Sequence, residues 1–171
     1  SVLAVGMTYR SPVEVAYDGD IEIDPPGPPG MEGDAETSIE YPSFVSLGAA
    51  WKASPKLRIE FVAEWSDWSV NDLQVITHDL TLPPNSPLQS PMEQDRSWDD
   101  SWVYMLGAEY DLNDKWTLRG GYGFNETPVP TSTATPYLPA GDIHALAFGG
   151  GYQINKTLTV DAAVILAYGE E

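Results

Sequence analysis

The sequence predicts an all-β fold, an antiparallel up-and-down transmembrane β-barrel with about eight strands in this chain. Three observations carry that prediction. Apolar and polar residues alternate with period two over segments of about ten residues, and helical spacing is nowhere sustained. The joins between these segments are alternately short and long. Aromatic rings gather near the segment ends.

The alternating segments are 1–10, 12–23, 41–53, 57–66, 101–112, 115–125, 142–154 and 157–168, and the fourth has a possible twisted continuation to 77. In 101–112, Trp102, Tyr104, Leu106, Ala108 and Tyr110 fall on one face, opposite Ser101, Met105, Gly107, Glu109 and Asp111. In 115–125, Trp116, Leu118, Tyr122 and Phe124 oppose Thr117, Arg119, Gly121, Gly123 and Asn125. In 157–168, Leu158, Val160, Ala162, Val164, Leu166 and Tyr168 oppose Thr159 and Asp161. One face is apolar and the other small and polar, as a wet barrel interior requires. A soluble sandwich needs an apolar face on each of its two sheets and fits less well.

The short joins are RSP at 10–12, ASPK at 53–56, LNDK at 112–115 and INK at 154–156; the long ones are about 24–40, 67–100 and 125–141. Membrane barrels have this asymmetry, with short turns at one rim and long loops at the other. Eleven residues at ~3.3 Å each, tilted by ~40°, rise about 28 Å, which matches the apolar band of an outer membrane. Tyr9, Tyr17, Tyr41, Trp51, Trp65, Trp102, Tyr110, Trp116, Phe124, Tyr152 and Tyr168 are placed to form the two interfacial girdles.

Composition narrows the function. The 171 residues include 26 Asp plus Glu against 8 Lys plus Arg, for a formal charge of −18. Such a surface repels nucleic-acid phosphates, so no nucleic-acid partner is expected. Without cysteine there is no disulfide framework or thiolate metal site. No run of 18 apolar residues predicts a transmembrane helix. The chain starts inside a strand, SVLAVGMTYR, as expected of a fragment or processed product.

Charge also differs between the two ends. Arg10, Lys52, Lys56, Arg58, Lys115 and Lys156 lie in or beside the short joins, whereas the long loops are acidic and hold Arg96 as their one basic residue. The acidic loops read as a self-repelling soluble surface. No ligand spacing marks a metal site, no cofactor motif is present, and no nucleophile elbow or phosphate loop points to an enzyme. His78 and His144 stand alone, with ordinary loop or lumen roles expected. By alternation Arg58, Glu60, Glu64, Glu109, Arg119 and Asp161 project inward; ion pairs across the barrel wall are expected, with attraction of a ligand carboxylate to Arg119 as the sharper reading.

Several stretches resemble one family. TYRSPVEV at 8–15, SWVYMLGAEYDLNDKW at 101–116, WTLRGGYGFNETPVP at 116–130 and LPAGDIHALAFGGGYQINKTLTVDAAV at 138–164 are similar to the long-chain fatty acid transporter (FadL-like) family of outer membrane proteins. The order Pro128-Val129-Pro130, then Leu138-Pro139-Ala140-Gly141-Asp142 opening the next strand, is the most specific part. The resemblance implies a barrel of fourteen strands closed by an N-terminal hatch, with these residues as strands six to thirteen. Residues 1–171 are then a single barrel segment, with the hatch, the first strands and the final strand outside it.

The implied function is transport of hydrophobic compounds, long-chain fatty acids or hydrocarbons, across the bacterial outer membrane. Expected partners are the hydrophobic substrate, outer membrane lipid and lipopolysaccharide. A non-transporting structural or surface-binding barrel is the alternative, and a soluble lipocalin-like carrier a third reading. Loop 24–40, with Met31 among its prolines, resembles the family's fourth extracellular loop, one wall of a ligand groove. Pro128 and Pro130 stiffen a loop suited to shield the barrel mouth, because proline fixes φ and lowers the entropy lost on ordering. The candidate ligand-binding residues are therefore Arg119, Met31, Pro128 and Pro130, with no catalytic residue and no metal ligand.

Overall fold

Seven long strands run side by side in the computed structural model, which describes residues 2–22, 32–82, 84–86, 88–137 and 140–169. They are β1 (Val2–Arg10), β4 (Phe44–Lys52), β5 (Leu57–Ser66), β8 (Ser101–Asp111), β9 (Trp116–Asn125), β10 (Ile143–Asn155) and β11 (Leu158–Gly169). All neighbours are antiparallel, and the sheet is not closed into a barrel within this chain. A second sheet contains β2 (Val13–Glu22), β3 (Glu32–Tyr41), β6 (Leu73–His78) and β7 (Met92–Asp95), paired in that order.

The expected eight-strand meander is therefore corrected to seven. RSP at 10–12 is not a turn: Arg10 lies opposite Phe44 and Val13 opposite Tyr41, so equal numbers of residues bridge the break on both sides. Residues 2–22 and 32–52 form one long hairpin, kinked where Pro12 and Pro42 supply no N–H for pairing. Consequently 24–40 is not all loop, since 32–41 is strand, and Arg10 sits at the long-loop end. The suggested continuation of the fourth strand toward 77 is a separate strand, β6, bonded to β3.

The three true turns share a device. Ser54 Oγ accepts from the N–H groups of Lys56 and Leu57 at 3.2 and 3.1 Å. Asn113 Oδ1 does the same for Lys115 and Trp116, and Asn155 Oδ1 for Thr157 and Leu158. A short polar side chain thus closes each reversal through the N–H groups two and three residues on.

Register carries the alternation across the whole main sheet. Leu3, Trp51, Ile59 and Ala108 lie in successive register, as do Leu106, Tyr122, Leu146 and Leu166. This face is apolar on all seven strands, and it is exposed: Leu106 keeps 51% and Val164 62% of its surface. An apolar face of this extent needs lipid against it. Its aromatics form two bands. At the loop end Trp102 stacks on Tyr104 at 5.7 Å, and Phe124 meets His144 at 5.0 Å; at the turn end Trp116 meets Tyr152 at 4.6 Å. Trp102 to Tyr110 is about 27 Å of strand at ~3.4 Å per residue, a rise of about 21 Å at a tilt of ~40°, which comes close to the ~25 Å apolar band of an outer membrane.

Buried apolar side chains, among the described residues, occur away from the main sheet. Val129 lies under the loops, Leu80 follows β6, and Pro42 is fully enclosed at the kink.

Candidate functional site

The face opposite the apolar one carries the charged residues expected to point inward. Arg119 on β9 lies directly opposite Glu109 on β8 and donates from Nε to Glu109 Oε2 at 2.7 Å. Its Nη1 crosses β10 to reach Asp161 Oδ1 on β11 at 2.6 Å. Glycine permits the crossing, because a Cβ on Gly151 would stand 2.6 Å from Asp161 Oδ1 and 3.4 Å from Arg119 Nη1. One guanidinium therefore ties three strands, and two carboxylates outweigh its charge. A second inward pair, Arg58 with Glu60, runs along β5.

Beside this cluster, toward the long loops, the same face carries small and apolar residues: Gly121, Gly123, Ala145, Ala147, Gly149 and Ala163. A shallow depression of about 350 Å³ lies here, with Arg119 and Asp161 at its margin. Across β9, β10 and β11 the inner wall is thus ionic near the turns and smooth farther up, whereas β5 carries Glu64 near its loop end.

At the loop end, residues 67–100 and 126–142 are fastened together. Asp99 N–H donates to Pro128 O at 2.9 Å, and Thr133 Oγ1 to Arg96 O at 2.7 Å. Trp102 and Glu126 exchange two bonds, Glu126 N–H to Trp102 O at 2.9 Å and Trp102 N–H to Glu126 Oε2 at 3.0 Å. Thr127 N–H donates to Asp142 Oδ1 at 2.9 Å. Arg96 stacks 4.9 Å over the Trp98 ring and donates to Gln74 Oε1 through Nε and Nη2. Burial pulls the Arg96 guanidinium below its ordinary pKa. Trp98 packs on Trp68 at 5.3 Å, and Trp68 on Phe44 at 6.4 Å, which joins the loop cluster to the top of β4.

These positions sort the expected site residues. Arg119 is on the inner face, held by two carboxylates. Pro128 contributes a carbonyl to the loop fastening, and Pro130 O accepts from Thr133 N–H at 3.1 Å. The two prolines flank Val129, which is buried to 7% exposure. Met31 lies outside the described residues. His78 is a loop-end residue whose Nδ1 accepts from Leu80 N–H and whose Nε2 meets Leu88 O. His144 belongs to the apolar face rather than the lumen, 2.7 Å from Tyr122 Oη through Nδ1. Among the described residues no group of three or more His, Asp or Glu could hold a metal ion.

Sequence reasoning missed the Arg96–Trp98–Trp68 cluster and the carboxylate pairing on β2 and β3. For the latter a signal was present: Glu32, Asp34 and Glu36 recur with the period of a strand.

Residues 2–171 match the family described as outer membrane protein transport protein (OMPP1/FadL/TodX). The chain belongs to this family. As a member it is part of an outer membrane β-barrel. It is 23% identical over 176 residues to the long-chain fatty acid transport protein of Salmonella typhi, covering 96% of this chain and 39% of that protein. Alkane uptake protein A of Marinobacter nauticus is 38% identical over 71 residues, 42% of this chain and 15% of that one. Among solved structures, a Pseudomonas aeruginosa FadL homologue superposes with a TM-score of 0.81 at 19% identity, covering 98% of this chain and 41% of that chain. The Pseudomonas putida toluene transporter TodX gives 0.56 at 17% identity, over 95% and 39% of the two chains. The chain thus spans about two fifths of the length of the relatives it matches.

Proposed function

We propose that the full-length protein carries hydrophobic compounds across the outer membrane, and that these residues build one side of its conduit. The observation that carries this is the two-faced sheet: a continuous apolar exterior backs an inner wall that, across β9 to β11, is smooth and small above an ion-paired base. A hydrophobic molecule needs a low-friction apolar wall and no covalent chemistry. Each buried methylene contributes ~0.8 kcal/mol, so few polar contacts suffice to hold a long chain.

Fatty acids and hydrocarbons are both represented among the relatives' names. In this reading a plug outside these residues closes the lumen to ions, and lipid and lipopolysaccharide surround the apolar face. The fastened loops, with Pro128 and Pro130, shield the mouth. Arg119 braces the wall at the base of the conduit.

Uptake of a labelled long-chain acid or alkane by cells bearing the full-length protein tests this, alongside planar-bilayer conductance. Hydrophobic uptake without large steady ion currents is expected. Steady currents without uptake would make it a general porin, and neither would make it a structural barrel.

A further inference from the structure

The β2–β3 hairpin carries an arrangement that ordinary strand pairing avoids. Glu14 stands directly opposite Glu40, Asp18 opposite Glu36, Asp20 opposite Asp34 and Glu22 opposite Glu32. All eight carboxylates share one face of the hairpin, and the pleat places Val13, Val15, Tyr17, Ile21, Ile39 and Tyr41 on the other. Like charges directly opposite one another destabilise a sheet. Neighbouring residues on one face are about 7 Å apart along a strand, inside the ~8 Å Debye length at physiological salt, so their fields add. The hairpin continues the wall beyond Arg10 and Phe44, at the end where the long loops gather.

A second, independent observation concerns the cations. Arg119 is outweighed by Glu109 and Asp161, and Arg96 is covered by Trp98 and bonded to Gln74. Lys52, Lys56 and Lys115 stand at the opposite end, beside the short turns. A carboxylate arriving at the mouth therefore meets eight carboxylates first, against which Arg10 at the foot of the hairpin sets a single guanidinium.

We infer that this conduit selects uncharged hydrophobic compounds over long-chain carboxylates, and that the paired carboxylates of β2 and β3 set that preference. The inference rests on the transport reading above and places no bound ion on the hairpin. An uncharged chain passes this field unaffected. An anionic head is depleted from the entrance, which lowers its rate of entry more than its fit inside.

The test uses the full-length protein in cells without other hydrophobic carriers, and compares initial uptake of a labelled long-chain acid with that of its methyl ester. The pair differs in charge and little else. The ester is expected to enter about three- to tenfold faster than the acid. Neutralising the ladder (Asp18→Asn, Asp20→Asn, Asp34→Asn, Glu36→Gln) is expected to raise acid uptake until the two lie within about twofold, with ester uptake unchanged.

If that variant fails to reach the membrane, the wild-type protein decides. Raising monovalent salt tenfold should speed acid uptake by about twofold or more and leave the ester alone, because the field is screened. Equal uptake of acid and ester by the wild type, or a preference that survives both neutralisation and salt, overturns the selectivity and leaves transport standing. Uptake of neither compound above a carrier-free control overturns transport and the selectivity with it.

Discussion

Arg119 and Asp161 are 42 residues apart in sequence, yet they meet at 2.6 Å by passing over an intervening strand that is glycine at the crossing point. The bridge depends on what β10 lacks. A Gly151→Val substitution is expected to expel one partner and destabilise the barrel by about 1–3 kcal/mol, the usual cost of overpacking. Gly107→Ala, on the same face with nothing within 4 Å of its added Cβ, is the matched control and should be near neutral. Urea unfolding of the full-length protein in lipid vesicles, followed by tryptophan fluorescence, gives both values.

The two faces make a second prediction. Leu106→Lys places a charge on the apolar face near the middle of β8 and is expected to cost about 2–4 kcal/mol in lipid. Met105→Lys, one residue earlier, turns the charge to the inner wall and should cost distinctly less. The reverse order would mean that the faces are exchanged, since a one-residue slip moves every side chain across the sheet.

Much of this arrangement is legible in the sequence. From Ser101 to Tyr168 the alternation is strong because one face meets lipid, and strand bounds and facing follow from it. The first fifty residues misled for a physical reason. Arg10-Ser11-Pro12 has the composition of a turn, but whether proline turns a strand or only kinks it depends on the partner strand thirty residues later. From 32 to 37 acids alternate with Gly, Ala and Thr, so hydrophobic residues mark this strand only at its end, with Ile39 and Tyr41. The inward set, Arg119 and Asp161 included, is readable from parity, whereas the pairing of those two requires the register of two intervening ladders.

Loop fastening should separate stability from transport. Pro128→Ala with Pro130→Ala frees the backbone on both sides of Val129. Unfolding free energy is expected to change by less than about 1 kcal/mol per site, the scale of a proline's entropic effect. Uptake of a hydrophobic substrate should change by more than about twofold if the fastened loops guard the entrance. Unchanged uptake would reduce the loop to a covering with no part in transport.

Arg96 is a local lock. Arg96→Ala removes the stack on Trp98 and both bonds to Gln74, a loss of about 1–2 kcal/mol confined to the loops. Amide hydrogen exchange should accelerate at 94–99 and 131–134 while the strands stay protected. Arg96→Lys is not expected to restore protection, because an ammonium lacks the planar fork that stacks and donates together.

The separation of basic residues toward the short turns also bears on how the cell surface meets digestive enzymes. Between Arg10 and Lys52, and again between Arg58 and Lys115, Arg96 is the one residue after which a trypsin-like protease could cut. That residue is half-buried, stacked on an indole and held by an amide. Apart from Arg10 at the foot of the hairpin, the described residues of the long hairpin and loops therefore offer trypsin no accessible site while the lock holds.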